Sequence, residues 1–134
     1  MTHPTKAIFK YIMLDSLKLN ANEKTLFNKT DLFKCIDKIE CVNFHETINC
    51  DGIKFTAYNA GHVIGACMFL INISGIKVLY TGDYSLEKDL HINPAEIPDE
   101  KIDVLIVEST YGVKTHEKRE EREVVLLGFI FGES

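Results

Sequence analysis

Apolar residues recur at helical spacing near the start of the chain and in short runs after residue 39, so the pattern predicts helices first and a sheet second. In "THPTKAIFKYIMLDSLKL", Pro4 falls near a first helical position, where its missing N–H costs nothing. Ala7, Ile8, Tyr11, Ile12, Leu14 and Leu17 then follow over successive turns of an amphipathic helix. After the polar "NANEKT", the stretch "TDLFKCIDKI" predicts a short second helix with Thr30 or Asp31 as its N-cap.

The period changes at residue 39. "IECVNF", "ETINC", "IKFTAYNA", "ACMFLINI" and "IKVLYTG" are β-branched or aromatic runs, broken at Asp51-Gly52 and Ser74-Gly75 by two-residue hairpin signals. They predict a largely antiparallel sheet. "IDVLIVES", residues 102 to 109, is almost continuously apolar and predicts a strand buried on both faces. "HEKREERE", 116 to 123, predicts a charged, solvated helix. Helices, then a meander, then another helix make an α/β sandwich the leading architecture.

The last eleven residues, "VVLLGFIFGES", set an apolar run directly after that charged stretch. Two readings stand: an end that packs on the core, or a truncated or altered end.

Composition narrows the class without changing the architecture. At 134 residues, 46% hydrophobic and 26% charged, the chain has the make-up of one soluble domain or part of one. Its formal charge of −5 supplies no general attraction for polyanions. Cys35, Cys41, Cys50 and Cys67 form no C-x-x-C pair and follow no secretory signal, so buried free thiols in an intracellular compartment are expected. No apolar run approaches the ~20 residues needed to span a bilayer.

Three positions carry candidate chemistry. In "AYNAGHVIGACMF", His62 lies within predicted strand sequence between Gly61 and Gly65, and such glycines mark a bulge or a close approach by another group. A kink there aims an imidazole into a pocket; the plainer reading is a hydrogen-bonded core histidine. In "VLYTGDYS", a strand ends in Thr-Gly and delivers Asp83, a metal-binding carboxylate or a turn cap. If the hairpin turns at Ser74-Gly75, residues 67 to 73 pair with 76 to 82, and His62 and Asp83 meet at one end of it. Imidazole with carboxylate suits zinc, but two ligands are too few for a tight site. Glu108, in "LIVESTYG", ends the apolar strand and is either functional or simply an exposed strand-end carboxylate. His3, His45, His91 and His116 have no comparable settings; His45 is expected to point outward from a strand.

Six blocks, "THPTKAI", "AGHVIGACMF", "YTGDYS", "AEIP", "IVESTYG" and "HEKREERE", resemble in order and spacing the metallo-β-lactamase/β-CASP nucleases. "AEIP" and "HEKREERE" are similar to the branch that cuts pre-mRNA before poly(A) addition. The resemblance covers residues 1 to about 123, read as the middle of a metallo-β-lactamase domain leading into a β-CASP region, with 124–134 an atypical apolar tail.

It implies a partial αββα sandwich, RNA as substrate, other 3′-end processing subunits as partners and the nucleus as compartment. It also implies two zinc ions that activate a water, with His62 a ligand of one and Asp83 bridging both. Glu108 would orient a histidine that donates a proton to the leaving group. The family pattern requires an H-x-H-x-D-H block ahead of the first helix, and the 134 residues contain none. The resulting expectation is a fragment that does not cleave RNA as this chain alone. A non-catalytic binding module of the processing complex is the alternative.

Overall fold

A computed structural model describes residues 1–20 and 26–113. The charged stretch 116–123 and the apolar tail 124–134 lie outside the described residues.

Helix α1 runs His3–Leu19 with proline in its first turn, and α2 runs Lys29–Lys38. Asn28, rather than Thr30 or Asp31, caps α2. Its side chain accepts from the N–H groups of Thr30 and Asp31 at 2.8 and 3.1 Å, and the Asp31 carboxylate accepts from the Asn28 N–H at 3.1 Å. The reciprocal pair satisfies donors that a helix start otherwise leaves open, so the helix begins at Lys29, three residues before Leu32, the first apolar position.

Five strands follow: β1 Thr47–Cys50, β2 Ile53–Asn59, β3 Cys67–Ile73, β4 Ile76–Tyr80 and β5 Val104–Ile106. They lie side by side in sequence order, antiparallel through β4, with β5 parallel to β4. Asp51-Gly52 and Ser74-Gly75 have positive φ at both residues, as primed hairpin turns require. The β3–β4 ladder has the register read from the sequence, with Ile73 opposite Ile76 and Phe69 opposite Tyr80.

Two expected strands come out differently. "IECVNF" makes only isolated bridges, Val42 to Thr2 and Phe44 to Ala57, because His45 turns the chain at φ +63° before β1 begins. "IDVLIVES" yields three strand residues, all exposed, with Leu105 at 57%. A continuous apolar run signals cover on both faces, and among the described residues β5 has a neighbour only at its β4 edge.

One cluster of the core occupies a single face of the sheet, while Ala57, next to Tyr58 in β2, is buried on the other. Tyr58 is opposite Met68, and Leu70 opposite Leu79, so these side chains share a side. Met68, Leu70 and Leu79 are buried with Ala60, and Tyr84, Ala95 and Ile102 pack against them. Those last three come from the crossover, residues 81–103, which joins parallel strands without forming a helix. The lid of the core is thus an irregular segment.

α1 is helical as its spacing predicts, yet none of its residues is buried, and Ile12 is 61% exposed. It is held by its N-terminus: the Val42 N–H donates to the Met1 carbonyl at 3.0 Å, and Lys6 Nζ donates to the Ile39 carbonyl at 2.8 Å. All four thiols are free, but Cys35 and Cys50 are exposed and Cys41 and Cys67 only part-buried, so the expectation of buried thiols fails. Short helices and hairpin ends place these cysteines at margins of the fold.

Two outcomes test this packing. A Cβ on Gly61 would stand 2.5 Å from the Ser85 carbonyl oxygen, whereas one on Gly52 meets nothing within 4 Å, although both residues have positive φ. In urea unfolding of the full chain, Gly52→Ala should cost about 1 kcal/mol from backbone strain. Gly61→Ala adds a backbone collision and should cost at least about 3 kcal/mol; equal losses would contradict the close approach. Burial pushes the Cys67 thiol up. Less thiolate at mildly alkaline pH means slower alkylation of Cys67 than of Cys35 and Cys50, measurable by timed mass spectrometry.

Candidate functional site

β2 ends at Asn59 and β3 begins at Cys67, so His62 lies on a connecting loop and not within a strand. The chain rises from the core there: Ala60 is fully buried, while the His62 side chain is 45% exposed. His62 has φ +58°, a left-handed conformation that costs a residue with a Cβ unless its surroundings impose it.

The surroundings are tight at both ends. At Gly61, Ser85 and Ala95 approach so closely that only glycine fits; at Gly65, a Cβ would stand 2.8 Å from Pro4 Cβ and 3.1 Å from the Thr5 nitrogen. The flanking glycines mark close approaches, as the sequence suggests.

Asp83 follows β4 by three residues and is exposed at 71% of its side chain. Its Oδ2 lies 3.8 Å from His62 Nε2. The hairpin therefore brings the two together, although the contact is too long for a hydrogen bond.

Glu108 lies two residues beyond β5. Its carboxylate accepts from the Thr110 N–H at 2.8 Å. Hydrogen bonds from the Thr110 hydroxyl and backbone hold it below the usual glutamate range, the nearby His62 contributing in the same direction. His62, Glu108, Tyr84 and Tyr111 line an open groove of about 550 Å³. His62 and Asp83 also border a second groove of about 520 Å³, walled by Ile8, Phe9, Ile12 and Phe69. His62 is the wall common to both.

The three residues singled out from sequence thus gather at one end of the sheet, beyond the C-terminal ends of the parallel pair β4 and β5. This is where open sheets with parallel strands present their chemistry.

The donor set can be compared with what zinc needs. Two donors at ordinary zinc distances on a tetrahedral ion stand roughly 3.4 Å apart. The 3.8 Å between His62 Nε2 and Asp83 Oδ2 is close to that, so the pair suits zinc in kind and spacing. It does not suit in number. Among the described residues, no group of three or more His, Cys, Asp or Glu is placed to hold a metal, and two donors do not make a zinc site.

The remaining histidines are not gathered here. His45 is exposed, as expected, but at a turn rather than on a strand; there Nε2 meets Glu96 Oε2 at 2.8 Å and the ring packs edge-on to Tyr58. Sequence reasoning did not find Glu96. Its Oε2 also accepts from the Asn59 N–H at 3.0 Å, and its own N–H donates to the Asn59 carbonyl at 3.0 Å, which pins the crossover to the end of β2. The signal was present in "AEIP", a block noticed for its likeness to a family rather than for its contacts.

Comparison with known proteins agrees with this fold. Residues 1–110 match the family described as the metallo-beta-lactamase superfamily domain. The chain is 48% identical over 132 residues to "Endoribonuclease ysh1" of Schizosaccharomyces pombe, covering 97% of this chain and 17% of that protein. It is 52% identical over 125 residues to "Cleavage and polyadenylation specificity factor 73" of Drosophila melanogaster, covering 92% of this chain and 18% of that protein. Against "Cleavage and polyadenylation specificity factor subunit 3" of Dictyostelium discoideum, identity is 51% over 126 residues, 92% of this chain and 16% of that protein. The chain spans less than a fifth of the length of these relatives. A mixed, largely antiparallel α/β sheet and a family match over residues 1–110 place this chain in the metallo-β-lactamase superfamily.

Proposed function

We propose that this sequence is a segment of a zinc-dependent endoribonuclease that cuts pre-mRNA at its 3′ end before polyadenylation. His62 and Asp83 contribute donors to a metal centre completed by ligands outside the described residues. The observation that carries this reading is the meeting of His62 with Asp83 at one end of the sheet. About 50% identity to proteins named endoribonucleases and cleavage and polyadenylation specificity factors supports RNA as substrate, other 3′-end processing subunits as partners and the nucleus as the place of work.

The groups of this chain have separable tasks. His62 offers a neutral imidazole nitrogen, and Asp83 a carboxylate that neutralises cationic charge. Glu108, kept ionised by Thr110, holds a negative charge in the groove it shares with His62 and orients a cationic or proton-bearing partner. Zinc, when bound in a complete centre, supplies Lewis acidity toward phosphate. With two donors among the described residues, the chain alone is inactive.

A second reading draws on that same count: a non-catalytic binding module of the processing complex. Cooperative, soluble unfolding of the isolated chain favours it, and aggregation through the exposed β5 edge favours the segment.

The functional test is a graft. This sequence should replace the matching segment of the fission yeast endoribonuclease with retention of pre-mRNA cleavage. In the graft, His62→Ala or Asp83→Ala should lower cleavage by more than about a hundredfold, since even outer-shell changes at metal sites cost 10- to 100-fold. Cleavage that survives either substitution would sink the assignment. Single-turnover cutting of labelled RNA by the isolated chain, abolished by His62→Ala, would overturn its predicted inactivity.

A titration tests Glu108 separately. A carboxylate held below its unfolded value contributes stability that is fully present above the ordinary glutamate range and is lost as pH falls through the lowered folded value. Thr110→Val should move the Glu108 carboxyl midpoint upward, only part of the way, because the Thr110 N–H still donates. Carbon-detected NMR would read the shift, and an unmoved midpoint would remove the Thr110 hydroxyl from the account.

A further inference from the structure

We propose that Thr2, at the N-cap of α1, and Thr5, in its first turn, are positioning residues that hold His62 against Asp83 through the backbone carbonyl of Gly65. The His62 loop is fixed at its leading end by Gly61 against Ser85 and Ala95, but φ +58° at His62 also requires a hold on the trailing side. Thr2 Oγ1 supplies it, donating to the Gly65 carbonyl at 2.6 Å across 63 residues of sequence. Thr5 Oγ1 reaches the same carbonyl at 3.0 Å and Thr2 Oγ1 at 2.8 Å.

Two hydroxyl protons serve these three contacts, so at most two are hydrogen bonds at once. The shortest is Thr2 to Gly65. Thr5 then backs it, either directly or by donating to Thr2 Oγ1. Thr2 is 2% exposed, so its hydroxyl has little access to water, and without the Gly65 carbonyl it would have only Thr5 Oγ1 to bond. The Ala66 N–H closes the turn onto the Val63 carbonyl at 3.0 Å, which transmits the position of Gly65 back toward His62. Gly65 also permits the approach itself, since a Cβ there would stand 3.0 Å from Thr2 Oγ1.

The hold is read from geometry alone; its meaning for chemistry rests on the reading of His62 as a metal donor. The experiment addresses the geometry: the nuclear Overhauser contact between the His62 ring protons and the Asp83 β protons, measured in the 134-residue chain. The contact should be present in the natural sequence, lost in Thr2→Val/Thr5→Val and kept in Thr2→Ser/Thr5→Ser, which preserves the hydroxyls. Persistence in the valine pair overturns the proposal, as does loss in both pairs. If the valine pair does not fold, Thr5→Val alone should weaken the contact while the β2–β4 amide shifts stay in place; an unchanged contact there is equally fatal. Failure of the graft to cleave RNA sinks the functional reading and leaves this result untouched.

Discussion

The functional end of the sheet depends on one backbone contact, the seating of Ala60 and Gly61 against Ser85 and Ala95. The Ser85 N–H donates to the Ala60 carbonyl at 2.9 Å, and the Ala95 N–H donates to the Ser85 carbonyl at 2.7 Å. Asn59 extends the seam, its side-chain nitrogen donating to the carbonyls of Asn93 and Pro94 and its oxygen accepting from the Gly61 N–H. The 81–103 crossover has no helix to satisfy its backbone, so the end of β2 and the loop after it supply part of its hydrogen bonds. The same seam that closes the core therefore sets the height of His62 and the path of the chain just after Asp83.

This arrangement explains how a long irregular crossover can lie beside a site that needs accurate placement. Segments without secondary structure of their own are ordinarily mobile. Here both ends of the crossover are tied to strands, and its middle is tied to the loop that carries the histidine. Glu96 adds side-chain bonds to His45 and to the Asn59 N–H. Movement of the crossover without movement of His62 would break buried backbone bonds, so the donors on the two loops shift together or not at all.

Much of this was legible in the sequence, for identifiable reasons. Two-residue turns at Asp51-Gly52 and Ser74-Gly75 have few geometries, so they fixed the register of the meander, and the register placed His62 near Asp83. The glycines beside His62 announced close approaches because no other residue fits such places. What remained hidden was long-range. Burial of "IDVLIVES" was inferred from its own composition, but exposure depends on neighbours that a local pattern does not contain. His45 and Glu96 are 51 residues apart, and Thr2 and Gly65 are 63 apart. Polar pairs at such separations have no periodicity to reveal them. The cap of α2 escapes the pattern for a smaller reason: Asn28 lies outside the apolar repeat, which marks the helix start too late.

The placement of His62 between carboxylates raises the question of what orients it. Attraction to Asp83 is a weak answer. At 3.8 Å, with both side chains in contact with water, an ion pair is worth little and is screened further by salt. Glu108 is turned toward its own Thr110 hydrogen bonds, which fix it without fixing the imidazole. Side-chain electrostatics therefore makes the end of the sheet receptive to a cation but does not specify the angle at which the imidazole is offered. That angle must come from the backbone, and the positive φ at His62 is where the backbone imposes it. Such a strained residue persists only if its loop is held on both sides, which the buried contacts at Gly61 and Gly65 accomplish. The loop that carries His62 is accordingly positioned by the chain's own backbone.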